Sequence, residues 1–318
     1  MSDPPAQITA TLASLGIEVL ERDWLSSNSV LFTSADPLET ATVVDTGYSR
    51  DAPRTVELLR QRLRGRALGR VVNTHLHSDH CGGNAEIIRR FGSSIWVPDV
   101  SLEVVRQWDE KQLTYHATDQ RCERFAVAGG VRSGSEVRLG GRPWQAWSTP
   151  GHDPDALVYF EPRSKVLIAG DALWRDRLAI IFPALAGADG FSGVRETLRA
   201  IESLAPRVVI PGHGPAFTDV SAALRSSRER LAAFEREPAK HFSYALRALA
   251  MFRMLEYRHQ RRAELRAWMR AAPVLEAGRR ALALDSENTL RLVDACLDRL
   301  QADGQLARSG DILSVGAR

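Results

Sequence analysis

Through residue 210 the chain alternates short apolar runs with amphipathic stretches. Val30–Phe32 and Ala41–Val44 are β-branched or apolar runs divided by a polar, proline-containing turn, and they predict strands. Arg54 to Leu68 sets Val56, Leu58, Leu59 and Leu63 among arginines at helical spacing. Arg70–Asn73 reads as a strand that leads directly into a cluster of histidines. Asn84–Phe91 reads as a helix beginning just after Gly82 and Gly83. Ile95–Pro98 predicts a strand, and residues 101–120 predict one helix carrying Trp108, Tyr115 and His116. Four more strands follow at Glu136–Leu139, Trp144–Trp147, Leu157–Phe160 and Val166–Ala169, then a helix over 192–204 and a strand at Val208–Ile210. Strands alternating with helices imply an α/β fold, with sheets covered by helices.

The pattern changes near residue 220. From Ser221 to Leu284 the residues are mostly helix formers, interrupted by Pro238 and Pro273. Thr289–Ala302 is amphipathic, and Gln305–Val315 predicts a hairpin turning at Ser309-Gly310-Asp311. The expected division is a catalytic domain over 1–222 and a mainly helical, winged-helix-like domain over 223–318. A helical lid with a small flap is the other reading of that tail.

Composition narrows the partners. The 318 residues are 44% hydrophobic and 25% charged, with a formal net charge of +3, which gives no reason to expect a polyanion across the whole surface. Cys81, Cys122 and Cys296 are scattered and form no CxxC, as expected of a reduced cytoplasmic protein. The polar start does not resemble a secretory signal, and no apolar stretch is long enough for a membrane span.

The chemistry lies in four short segments: His75-Leu76-His77-Ser78-Asp79-His80, His152 after Thr149-Pro150-Gly151, Asp171 after Ala169-Gly170, and His213 after Pro211-Gly212. Neutral imidazoles and carboxylates are the donors Zn²⁺ takes when it keeps a position open for water. A single histidine is more often a core residue than a ligand, but three of the chain's eight histidines fall within six positions. Seven donors exceed the needs of one such ion and suit two divalent ions sharing a carboxylate and a hydroxide. Zinc is the expected metal, with iron and manganese as alternatives. Asp79 is also a candidate proton carrier between nucleophile and leaving group.

This set resembles the metallo-β-lactamase superfamily, in its dinuclear hydrolase branch. The resemblance implies a four-layer αβ/βα sandwich. It implies that His75, His77 and His152 form one metal site, that Asp79, His80 and His213 form the second, and that Asp171 bridges them. Asp45, in Val43-Val44-Asp45-Thr46-Gly47, matches an acidic residue that supports the metal loop; a plain turn aspartate is the competing reading. Asp171 argues against a true β-lactamase, and Gly170-Asp171-Ala172-Leu173-Trp174 is close to the glyoxalase II pattern at this point. The tail is similar in arrangement to β-lactamase-like hydrolases with a C-terminal winged helix, some of which cut RNA.

Around these segments, Trp174, Arg175 and Arg177 follow Asp171 directly and, with Phe182, are candidate substrate-binding residues, an arginine being suited to meet an anionic group. The apolar loop Ile180–Gly187, with Phe182, offers a wall for a substrate pocket or a segment packed under the C-terminal helices. Arg258 to Arg270 is basic and reads as a solvated helix face rather than a nucleic-acid surface. The expected function is hydrolysis of a small carbonyl substrate (thioester, ester or lactone) in the manner of a hydroxyacylglutathione hydrolase. A ribonuclease or phosphodiesterase with a nucleic-acid-binding tail is the alternative. No membrane partner is expected, and a homo-oligomer is left open.

Overall fold

The computed structural model describes residues 4–22, 25–34, 36 and 39–316. A first sheet holds β1 (Ile17–Leu20), β2 (Ser29–Phe32), β3 (Ala41–Val44), β4 (Leu68–Val72), β5 (Ser94–Pro98) and β6 (Gly129–Val131) in that spatial order. A second sheet holds β7 (Glu136–Leu139), β8 (Arg142–Ser148), β9 (Leu157–Glu161), β10 (Val166–Gly170) and β11 (Val208–Pro211), ordered 11-10-9-8-7. The strands from β3 to β6 pair in parallel, as do β10 and β11.

Side chains alternate across each strand, and here both faces find apolar partners. Leu31, Val43, Val71 and Ile95 point outward onto Val56, Leu59 and Ile87 of the helices Ala52–Leu63 and Asn84–Phe91. Their neighbours Val30, Phe32, Val44 and Val72 point inward, against Trp144, Tyr159 and Ile168 of the second sheet. On the far side of that sheet, Val158, Phe160, Leu167 and Val209 pack on Leu198 and Ile201 of the helix Gly190–Leu204 and on Leu224 and Leu231 of the helix Val220–Arg236. The layers are helix, sheet, sheet, helix. Burial on both faces explains why the strands read as continuous apolar runs rather than alternating ones.

Three expectations need correction. The stretch 101–120 is not one helix: it runs Leu102–Gln107, stops, and makes a separate turn at Tyr115–Thr118. Trp108 adopts a left-handed conformation (φ 58°), and the Asp109 carboxylate accepts from the Lys111 and Gln112 backbone N–H groups, a local bond that competes with the helix. The helix expected to reach Leu68 ends at Leu63, where Arg64 turns left-handed (φ 50°). Arg258 to Arg270 is not a continuous helix face either. Arg258 (φ 68°) ends the long helix Pro238–Tyr257, and β12 (His259–Arg261) pairs with β14 (Ile312–Val315), which in turn pairs with β13 (Leu306–Ser309).

The C-terminal helices enclose their own apolar cluster, with Phe242, Leu246, Met254, Leu265, Leu275 and Leu297 at its centre. Leu185, from the loop after Asp171, inserts into it and ties the tail to the rim of the sandwich.

Candidate metal centre

The segments picked out by chemistry all leave strands at one rim. Asp45 follows β3, His75–His80 follow β4, His152 lies between β8 and β9, Asp171 follows β10, and His213 follows β11. Their loops are held by buried polar bonds. The Tyr159 hydroxyl donates to the Asn73 carbonyl (2.8 Å), the Tyr115 hydroxyl to the Leu76 carbonyl (2.9 Å), and the Asn28 amide to the carbonyls of Pro211 (2.9 Å) and Gly214 (2.8 Å). Tyr115 and Trp108 are therefore packing residues, with Trp108 tilted against Tyr115 and edge-on to Phe125.

The donor atoms form two groups. His75, His77 and His152 make one; Asp79, His80, Asp171 and His213 make the other. His77 Nδ1 lies 3.2 Å from His75 Nε2 and 2.8 Å from His152 Nε2. In the second group Asp79 Oδ2 is 3.1 Å from His213 Nε2, and His80 Nε2 is 3.3 Å from Asp171 Oδ1. Asp171 faces both: its Oδ2 stands 3.4 Å from His152 Nε2 while its Oδ1 faces His80. Donors about 2.0–2.2 Å from a tetrahedral cation stand roughly 3.3–3.6 Å apart, and these spacings run from somewhat below that range into its lower part.

The opposite ring edges fix which nitrogen each histidine offers. Thr74 Oγ1 donates to Asp45 Oδ2 (2.7 Å) and so accepts from His75 Nδ1 (3.0 Å). His152 Nδ1 donates to the Ile180 carbonyl (2.5 Å). His77 Nε2 faces the Asp153 carboxylate at 3.4 Å, and His80 Nδ1 donates to Asp45 Oδ2 (2.8 Å). The other nitrogen of His75, His77 and His152 turns inward with its lone pair. Lone pairs gathered at these distances repel unless a cation stands between them. His80 Nε2 is completely buried and forms no hydrogen bond, although Asp171 is close. Gly212 completes the fit: a Cβ there would overlap Asp171 Oδ1 and lie 2.8 Å from His80 Cε1. The residues suit two bound cations.

Electrostatics divide the groups. Burial pushes His77 and His152 down to about 4, and burial with neighbouring imidazoles takes His75 well below its usual value, so this group is a neutral nitrogen donor set. Burial opposes charge on His80, but the carboxylates of Asp171, Asp45 and Asp79 outweigh it and hold its pKa well above normal. Burial likewise opposes ionisation of Asp171 and Asp79, yet His80 and His213 keep both carboxyls below the ordinary range.

Asp45 is more than a turn residue. Its Oδ1 accepts from the Thr74 backbone N–H (2.9 Å), its Oδ2 accepts from Thr74 Oγ1 and His80, and it takes a left-handed backbone (φ 58°) to do so. Gly82 and Gly83 allow close backbone approach, but toward Ser49 N and Thr46 O rather than toward a ligand.

Above the donors lies a cavity that opens to solvent. Phe182 stands on the rings of His77 and His152, with centroids at 4.9 and 5.5 Å. Within its loop, Ile180 and Phe182 line the cavity while Leu185 packs under the C-terminal helices. Trp174 also lines the cavity, and its Nε1 donates to Asp171 Oδ1 (3.0 Å). Arg175 and Arg177 are not in this cavity; they line an adjoining groove. Sequence reasoning missed Thr118, Gln120, Tyr244, Leu249 and Phe252 on the cavity wall, and Asp153 behind His77. Only Asp153 carried a signal, as an acid next to a candidate ligand.

The Metallo-beta-lactamase superfamily sequence model matches residues 22–213. The chain belongs to this superfamily. It is 32% identical over 110 residues to a hydroxyacylglutathione hydrolase of Methylobacterium sp. (strain 4-46), covering 35% of this chain and 36% of the relative. The chain thus spans little more than a third of that relative's length. It is 24% identical over 175 residues to a probable metallo-hydrolase of Bacillus subtilis (strain 168), covering 54% and 74%. It is 23% identical over 186 residues to an atrochrysone carboxyl ACP thioesterase of Aspergillus novofumigatus, covering 58% and 48%. A metallo-beta-lactamase family protein of Thermus thermophilus superposes with a TM-score of 0.56 at 18% identity, covering 95% of this chain and 99% of its own. A beta-lactamase domain protein of Burkholderia ambifaria gives 0.54 at 21%, covering 95% and 92%. These likenesses establish the sandwich fold, and both extend through the helical tail.

Proposed function

We propose that this superfamily member is a dinuclear metal-dependent hydrolase of small acyl substrates, thioesters first and esters or lactones next. The observation that carries this reading is Asp171, which presents one oxygen to each donor group at the floor of an apolar-walled cavity. His75, His77 and His152 would hold one cation, Asp79, His80 and His213 the other, with Asp171 shared; the donor chemistry suits zinc, with iron or manganese as alternatives. When bound, the ions supply a water of lowered pKa and a positive charge for the developing oxyanion. The protein supplies the rest. Asp45, Thr74, Asp153 and the Ile180 carbonyl keep the imidazoles aimed, and Trp174 does the same for Asp171. Asp79, ionised and facing the cavity, is placed to accept a proton from the nucleophile and pass it to the leaving group.

Ile180, Phe182, Leu249 and Phe252 give the acyl group apolar contact and exclude water. These apolar walls favour an acyl group beside the candidate metal donors. In the tail, Arg262 and Arg266 are engaged by Asp294, and Arg262 also by Asp298, which lends no support to a nucleic-acid face. The terminal hairpin with its third strand supports a winged-helix-like domain over 223–318, here in the role of a cavity wall. Among the described residues no helix is long and apolar enough to cross a membrane.

The test is a panel of thioesters, lactones, phosphodiesters and RNA, with metal content measured in parallel and His77→Ala as control. Thioester hydrolysis lost in the variant and on chelation is expected. Activity on RNA alone would overturn the reading.

A further inference from the structure

Beside the metal cavity runs a larger groove, joined to it along Trp174, His213, Tyr244 and Ala248. Its wall carries Arg175, Arg177, Arg230 and Arg247; Asp176 pairs with Arg175 (2.7 Å) and Asp303 with Arg247 (3.0 Å), which leaves the wall with a net positive charge. Two of the arginines come from the loop after Asp171 and two from the helices Val220–Arg236 and Pro238–Tyr257, so separate parts of the fold bring their charges to one concavity. Arg230 donates to the Asp176 carbonyl (3.2 Å), and Arg247 to Asp303 Oδ2 (3.0 Å) and Gln305 Oε1 (3.3 Å). A guanidinium has five N–H donors, so these bonds orient Arg230 and Arg247 and leave donors for a ligand. Four guanidinium groups in a concave wall focus positive potential. Their planar forks match carboxylate and phosphate.

We propose that this groove binds the anionic end of the substrate while the acyl end enters the apolar cavity. The substrate class is then an acyl thioester or ester whose leaving group bears a carboxylate or a phosphate. This rests on the hydrolase reading above.

The experiment compares one acyl group on three thiols: N-acetylcysteamine, which is neutral, glutathione, which carries carboxylates, and coenzyme A, which carries phosphates. The metal-loaded full chain is expected to prefer one anionic thioester over the neutral one by about tenfold or more in kcat/KM, a value set by one or two charge-assisted bonds. That ratio should fall toward one in the double variant Arg177→Ala/Arg230→Ala and at raised ionic strength, but hold in Arg291→Ala, an exposed control paired with Glu287. The anion that wins identifies carboxylate or phosphate as the ligand. Equal rates on all three, or a preference that survives the double variant, overturn the proposal. Calorimetric titration with free coenzyme A and free glutathione reads the groove without turnover. If no thioester is hydrolysed, the hydrolase reading fails by itself. The groove then stands if either probe binds the wild type more tightly than the double variant, and falls if neither does.

Discussion

Asp45 Oδ2 accepts a hydrogen bond from His80 Nδ1 at 2.8 Å, and this bond decides which nitrogen His80 offers to the centre. Asn at position 45 tolerates the same left-handed backbone but can present an NH₂ to the ring. The proton would then move to Nε2, the atom aimed at Asp171. We expect Asp45→Asn to keep its circular dichroism spectrum and to lose about 10- to 100-fold in metal affinity, measured by chelator competition. Wild-type affinity would refute the role given to Asp45.

Gly212→Ala is expected to exclude metal more severely. The added methyl would fall well inside van der Waals contact of Asp171 Oδ1, so either the carboxylate or the β11 loop must shift. Metal analysis should show the variant holding no more than about half the wild-type content, since Asp79, His80 and His213 form one of two groups. Full metal content would mean the loop yields freely.

Phe252 reaches the cavity from the Pro238–Tyr257 helix and packs edge-on against Tyr48, with centroids 5.2 Å apart. Phe252→Ala widens the cavity without touching a metal donor. The ratio of kcat/KM for a bulky acyl group over acetyl should rise about tenfold. An unchanged ratio would place the acyl group elsewhere.

His241 supplies a pH dependence separate from the metal centre. Its Nε2 accepts the Ile181 backbone N–H at 3.1 Å, and burial pushes its pKa down to about 4. The folded state therefore binds this proton more weakly than the unfolded chain, whose histidine titrates near 6.5. Its stabilisation is complete above about pH 6.5 and is lost as the pH falls through 4, up to about 3 kcal/mol. Urea unfolding of the metal-free protein at pH 7 and 4.5 should show a smaller difference in His241→Gln than in the wild type. Equal differences would show that His241 does not titrate as described.

The metal donors were legible because they are chemically conspicuous and follow strands whose apolar runs are unbroken. The layered sandwich was legible for a related reason: runs such as Val208–Ile210 announce burial on both faces. The cavity wall was not. Tyr244, Leu249 and Phe252 lie on a helix whose periodicity shows that it is buried, but not which sheet rim it meets. Trp108 was misplaced because the Asp109 turn and contact with Phe125 override helical spacing. Arg175 and Arg177 were read as substrate residues from their nearness to Asp171 in sequence, and the chain carries them to the groove beside the cavity, which sequence proximity does not distinguish from the cavity itself.

The Pro238–Tyr257 helix turns Leu249 and Phe252 toward the donors, while Phe242, Leu246 and Met254 anchor it in the tail's own core. Among the described residues every candidate donor lies at or before position 213, whereas the cavity wall is shared between residues before it (Thr118, Gln120, Trp174, Ile180, Phe182) and the Pro238–Tyr257 helix after it (Tyr244, Ala248, Leu249, Phe252). Repacking the tail would retune what is admitted while leaving the reacting centre as it is.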